Sequence, residues 1–142
     1  PLRFSFDMLG EGARTARDAA RDLDAYRDAI ASIAAATAQA PAHTGDGPQT
    51  RDGISIKLSA LFARCEESQR ARVFAELLPR VHALVDAAAG AGINLTIDAE
   101  ECERLELSLD LLDAAAAYVA ARHPAWRGLR PDKTPADVVR ES

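Results

Sequence analysis

The chain has 142 residues, 48% of them hydrophobic, which suits one domain with a real core. Its formal charge is −5, with Lys and Arg scattered among acids, so no basic stripe is present to hold a phosphate backbone and nucleic acid is excluded as a partner of this segment. No run of about 20 apolar residues exists to cross a bilayer, and Cys65 and Cys102 lack the spacing of a disulfide framework or a zinc site, which points to a reducing, cytosolic setting.

The first residue is Pro1, and no charged-then-apolar leader precedes the first strand pattern, which reads as a piece of something longer. Residues 3–8 alternate apolar and polar, with Arg3, Ser5 and Asp7 in the polar row, and predict a strand. Ala16, Ala19, Ala20, Leu23, Tyr26, Ile30 and Ile33 then recur at helical spacing and predict a helix over about 14–37, with Arg14 and Asp18 pairing across one turn. Pro41, Gly45, Gly47, Pro48 and Gly53 mark the stretch from Gln39 to Gly53 as a loop.

A second alternating segment, 54–61, carries Ser55, Lys57 and Ser59 in its polar row. The helix expected next, over about 68–89, buries Val73, Leu77, Val81, Leu84, Val85 and Ala88, closes at Gly90 and Gly92, and is kinked by Pro79. The third strand, 93–98, has the polar row Asn94, Thr96 and Asp98; a third helix over about 108–122 begins with Ser108 as its cap. Residues 124–142 hold three prolines and no strong periodicity, and form an irregular tail.

The order strand, helix, strand, helix, strand, helix is an α/β pattern of parallel strands with crossovers. Parallel strands are covered on both faces, so polar rows on them need a reason, and a binding site supplies one. No glycine-rich phosphate loop follows any of the three strands, whereas Asp7, Lys57 and Asp98 stand at strand C-terminal ends. That placement fits the mouth of a (β/α)8 barrel better than an open nucleotide-binding sheet, and predicts about three β/α units of such a barrel.

Lys57 is a poor occupant of a dry core unless an anion meets it: either it holds a substrate carboxylate, or it pairs internally with Asp98 or Asp7. Asp98 opens the acidic run through Glu103 and would orient a substrate amine, bind a divalent metal with Glu101, or stay solvated. Glu101, Glu103 and Glu106 read as solvated. Glu11, just after the first strand, reads from its position as an acid near a helix N-terminus. His43, His82 and His123 show no catalytic partner in sequence, Tyr26 and Trp126 read as packing residues, and Cys65 has no activating base.

Taken together, residues 4–11, 53–61 and 95–101, followed by Arg104-Leu-Glu-Leu-Ser-Leu-Asp-Leu-Leu112, resemble the proline dehydrogenase family, in the form found in bacterial bifunctional proline utilisation A flavoenzymes. The resemblance covers about residues 4–112. It implies a distorted β/α barrel that holds FAD, oxidises L-proline to Δ1-pyrroline-5-carboxylate and passes electrons to membrane quinone. It implies that Lys57 meets the proline carboxylate, that Asp98 is the active-site aspartate, that the Ala99 backbone lies against the flavin, and that Glu11 gates the substrate. It also implies a cytoplasmic protein whose intact parent sits peripherally at the inner membrane.

One departure stands out: the family's His-Pro-Arg-Tyr type segment is replaced by Phe62-Ala-Arg-Cys65. The chain also stops where a fourth strand is expected, so by itself it is expected to be an inactive fragment of the barrel. Two other readings of the residues are a non-catalytic remnant, persisting as a half-barrel or as an interaction piece that self-associates through an open sheet edge, and a metal-dependent barrel using the carboxylates from Asp98 to Glu101.

Overall fold

A computed structural model of the chain describes residues 3–8, 12–39, 48–98 and 105–126. Its elements in order are β1 (Ser5–Asp7), α1 (Ala16–Gln39), β2 (Gly53–Ile56), α2 (Leu58–Leu61), α3 (Arg70–Arg72), α4 (Leu78–Ala91), β3 (Asn94–Ile97) and α5 (Leu105–Arg122). Short 3-10 turns lie at Pro48–Thr50, Glu67–Gln69 and Pro124–Trp126. The strands form one parallel sheet in the order β1-β2-β3. Among the described residues no helix is long and apolar enough to cross a membrane.

Helix α1 starts where Thr15 and Asp18 bond reciprocally: the Asp18 amide donates to Thr15 Oγ1 at 3.1 Å and the Thr15 amide to Asp18 Oδ2 at 2.9 Å. Two of the donors that a helix start leaves orphaned are thereby satisfied. The pairing expected between Arg14 and Asp18 is made instead by the Arg14 amide, at 3.2 Å, while the ion pair of Asp18 is with Arg21, at 3.5 Å. The stripe Ala19, Tyr26, Ile30 and Ile33 is buried. It meets Ile54, Ile56 and Leu58 of the sheet region and Val81, Leu84, Val85 and Ala88 of α4, with Leu107, Leu111 and Ala115 of α5 completing the same core.

Three boundaries differ from the sequence expectation. Strand β2 ends at Ile56, and residues 58–61 turn into α2, so Ser59 leaves the polar row; its carbonyl instead accepts the Ala13 amide at 3.0 Å. The apolar positions Leu58, Ala60 and Leu61 satisfy a helical turn as well as they would a strand, and all three are buried by it. Ser108 is not a cap, because α5 already begins at Leu105. The stretch after β2 has a one-turn π-helix at Val73–Leu77 ahead of Pro79, with the Leu78 amide bonded to the Val73 carbonyl. This wider turn sits where the proline removes a donor and crowds the preceding carbonyls.

At the far end of α4, Gly92 takes a left-handed φ of 65°. Its amide bonds the Ala89 carbonyl and that of Ile93 bonds Ala88, which closes the helix and delivers the chain into β3. Gly53 is required by close approach: a Cβ there would lie 2.6 Å from the Asn94 carbonyl oxygen.

Candidate active site

Register decides what the strands present together. Asp7 is paired with Ser55, Ser55 with Thr96, and Ile56 with Ile97. The ladder continues one step further, since the Asp98 amide donates to the Ile56 carbonyl at 2.9 Å, so Lys57 stands beside Asp98. Side chains alternate faces along a strand and paired parallel residues share a face. Ser5, Asp7, Ser55, Lys57, Asn94, Thr96 and Asp98 therefore occupy one surface of the sheet, while Ile54, Ile56, Leu95 and Ile97 occupy the helix-covered one.

On the polar surface the Ser5 and Ser55 hydroxyls are 3.1 Å apart. The Lys57 ammonium lies 3.6 Å from Asp7 Oδ1, in a pair whose side chains are 33% and 46% exposed. The internal pairing anticipated for Lys57 is thus made with Asp7. A half-exposed pair of this kind is worth little in stability, of order 0–1 kcal/mol, so it does not by itself account for a lysine in this row. Asp98 is half-buried at the next strand end. With the Lys57 ammonium paired to Asp7 and Asp98 at the adjoining register position, this surface offers both charges to a zwitterionic group such as a free amino acid.

Tyr26 does more than pack. Fully buried on α1, it accepts the Lys57 amide on its phenolic oxygen at 3.0 Å. The hydroxyl takes the place of a further ladder partner where β2 ends, and fixes the backbone from which the lysine projects. Helical spacing reveals that Tyr26 is buried, but nothing local in sequence shows what its hydroxyl meets 31 residues away.

Glu11 and Ala99 lie outside the described residues, as do His43, Glu101, Cys102 and Glu103. Glu106 is exposed in the first turn of α5. Among the described residues no three His, Cys, Asp or Glu side chains gather as metal ligands. An ammonium beside the two strand-end carboxylates also opposes a divalent cation there. Cys65 is a buried thiol that forms no disulfide among the described residues.

His123 takes a structural role, pairing with a carboxylate of α4. Its Nε2 is 2.6 Å from Asp86 Oδ1, and the Tyr118 hydroxyl donates to Asp86 Oδ2 at 2.8 Å. The hydrogen bonds from His123 and Tyr118 hold the Asp86 carboxyl below its ordinary range. His82 stacks on Tyr118 with ring centroids 3.8 Å apart, and burial lowers its pKa. These groups join α4 to α5 in the helical layer, while Trp126 adds a bond from its Nε1 to the Ile93 carbonyl at 2.9 Å.

A family model described as proline dehydrogenase matches residues 1–129. The chain is 48% identical over 112 residues to the bifunctional protein PutA of Salmonella typhimurium, covering 79% of this chain and 8% of that protein. A crystal structure of a mutant Bradyrhizobium japonicum Proline Utilization A is similar with a TM-score of 0.73 at 49% identity, over 89% of this chain and 12% of the other. Bdellovibrio bacteriovorus PutA, at 18% identity and a TM-score of 0.71 over 82% of this chain and 12% of that one, shares the fold. The chain thus spans only about a tenth of these relatives.

Proposed function

The chain belongs to the proline dehydrogenase family, and from that membership we propose that it supplies the first three β/α units of a barrel that oxidises L-proline to Δ1-pyrroline-5-carboxylate with FAD. Family membership makes it part of an oxidoreductase domain, and the three-stranded parallel sheet with its helices is part of that domain's TIM-like barrel. In this reading the barrel segment runs to about residue 123, Trp126 packs back against it, and the rest of the proposed tail, residues 127–142, lies outside the described residues.

The observation that supports the proposal is the register that sets Lys57 and Asp98 side by side on one sheet surface at the strands' C-terminal ends. Lys57 binds the carboxylate of proline. Asp7 holds the ammonium in the row until the substrate carboxylate arrives. Asp98 faces the reacting ring and orients its amine. Glu11 closes over the substrate as a charged gate that excludes water. Ala99, directly after Asp98 in sequence, would help hold a bound FAD through its backbone. FAD, when bound, supplies acceptance of the hydride that leaves proline C5. Electrons then pass to membrane quinone, from a cytoplasmic protein that meets the inner membrane peripherally.

Three strands do not close a barrel. The 142-residue chain alone is therefore expected to show no proline-dependent dye reduction, and an intact enzyme containing this segment is expected to lose proline affinity on Lys57→Ala while retaining its flavin. Unchanged apparent affinity in that variant would overturn the assignment of Lys57. One observation favours a second reading, self-association: Phe4, just before β1, and Phe6, within it, are 57% and 49% exposed. Dimers in size-exclusion chromatography that dissociate on Phe4→Ser with Phe6→Ser would support it, and a monomer at all concentrations would refute it.

A further inference from the structure

We propose that a cleft between the start of α1 and the helical stretch after β2 binds a phosphoryl group, carried by a small organic phosphate or by a lipid headgroup. The cleft encloses about 210 Å³ and brings four arginines, Arg14, Arg64, Arg72 and Arg80, against a single carboxylate, Glu76. That is a local excess of positive charge in a chain whose overall charge is −5. None of the lining residues belongs to the sheet, so the proposal stands apart from the proline reading.

The arginines come from three separate segments, and like charges drawn together in this way repel unless an anion joins them. Two of them are already fixed. Arg72 donates through Nε to Glu76 at 3.0 Å with its guanidinium 5.6 Å above the Phe62 ring, and Arg80 donates to the Leu61 carbonyl. Each holds further N–H groups in reserve. The side chains of Arg14 and Arg64 pair with no other described residue. Thr15 and Ala16, at the positive end of the 24-residue α1, line the same space. Asp18, which takes the Arg14 and Thr15 amides, is not part of the lining.

A dianion answers this excess better than a single carboxylate does, and guanidinium forks match phosphoryl oxygens two at a time. Buried Ala19 and Phe62 give the cleft an apolar wall for the organic part.

The test is titration of the full chain with inorganic phosphate, with phenyl phosphate, and with vesicles of equal parts phosphatidylcholine and phosphatidic acid, followed by amide NMR shifts and co-sedimentation. Saturable binding of the soluble phosphates, with shifts centred on Thr15, Ala16 and Arg64, supports a small-molecule source; saturable binding of vesicles alone supports a headgroup. In either case Arg14→Ala and Arg64→Ala should each weaken binding roughly tenfold, and Arg27→Ala, elsewhere on α1, should leave it unchanged. Glu76→Gln should tighten binding by about two- to threefold, a gain that misfolding cannot imitate. Linear, dispersed shifts with every probe, or wild-type affinity in both arginine variants, would overturn the proposal.

Discussion

Replacing Tyr26 with Phe removes one oxygen and keeps the buried ring, so it deletes the bond to the Lys57 amide at 3.0 Å without opening a large cavity. Tyr26 is fully buried, and water does not readily take the place of its hydroxyl. Deleting one partner of a buried pair costs about 1–3 kcal/mol, and the partial burial of this bond selects the lower half of that range, about 1–2 kcal/mol. For a domain of this length the loss corresponds to a fall in Tm of roughly 2–8 °C. Urea unfolding should show the drop with an unchanged m-value, and hydrogen exchange should show the Lys57 amide losing protection before its neighbours in β2. Tyr26→Ala should cost more, about 3–5 kcal/mol, because it also opens a cavity. A Phe variant as stable as the parent, with Lys57 exchange unaltered, would refute the view that Tyr26 fixes the end of β2.

Gly53→Ala should destabilise by about 1–3 kcal/mol, measured by urea unfolding, since the new methyl group meets the Asn94 backbone at 2.6 Å. Stability should fall as pH drops below the ordinary histidine value of 6.5: the folded state holds His82 at a lowered pKa, so the unfolded chain takes up its proton first. Thermal melts of His82→Phe between pH 7 and 5 should be flatter than those of the wild type. A further loss, from Asp86, should begin below 3.8 and run down through its lowered folded value. Asp7→Asn should change stability by less than about 1 kcal/mol, yet speed acylation of Lys57, which can be followed by peptide mapping because the only other lysine is Lys133.

The polar rows were legible because a strand has a strict period of two: Ser5 with Asp7, Ser55 with Lys57, and Thr96 with Asp98 could be placed on common faces before their neighbours were known. The stripe of α1 was legible for the corresponding reason at period 3.6. What local pattern does not encode is a partner on another element. The bond from Lys57 to Tyr26, the Asp86 carboxyl shared by His123 and Tyr118, and the convergence of Arg14, Arg64, Arg72 and Arg80 each depend on how helices sit against one another. The end of β2 escaped for a different reason: residues 58–61 fit either period, and burial of Leu58, Ala60 and Leu61 in the core favoured the helical turn.

The wide turn at Val73–Leu77 allows this stretch to carry a residue number that a uniform helix would not accommodate. Each residue of an α-helix advances the azimuth by about 100°, so forcing regular geometry on the same number of residues would swing everything upstream through roughly that angle. Arg70, which holds Asp110 of α5, and Arg72, which overlies Phe62, would be carried off their partners, whereas Val81, Leu84 and Val85 downstream would keep theirs. The bulge thus works as a phase adjuster, and straightening it with every residue retained would uncouple the arginine-bearing end of the crossover while sparing its hydrophobic half.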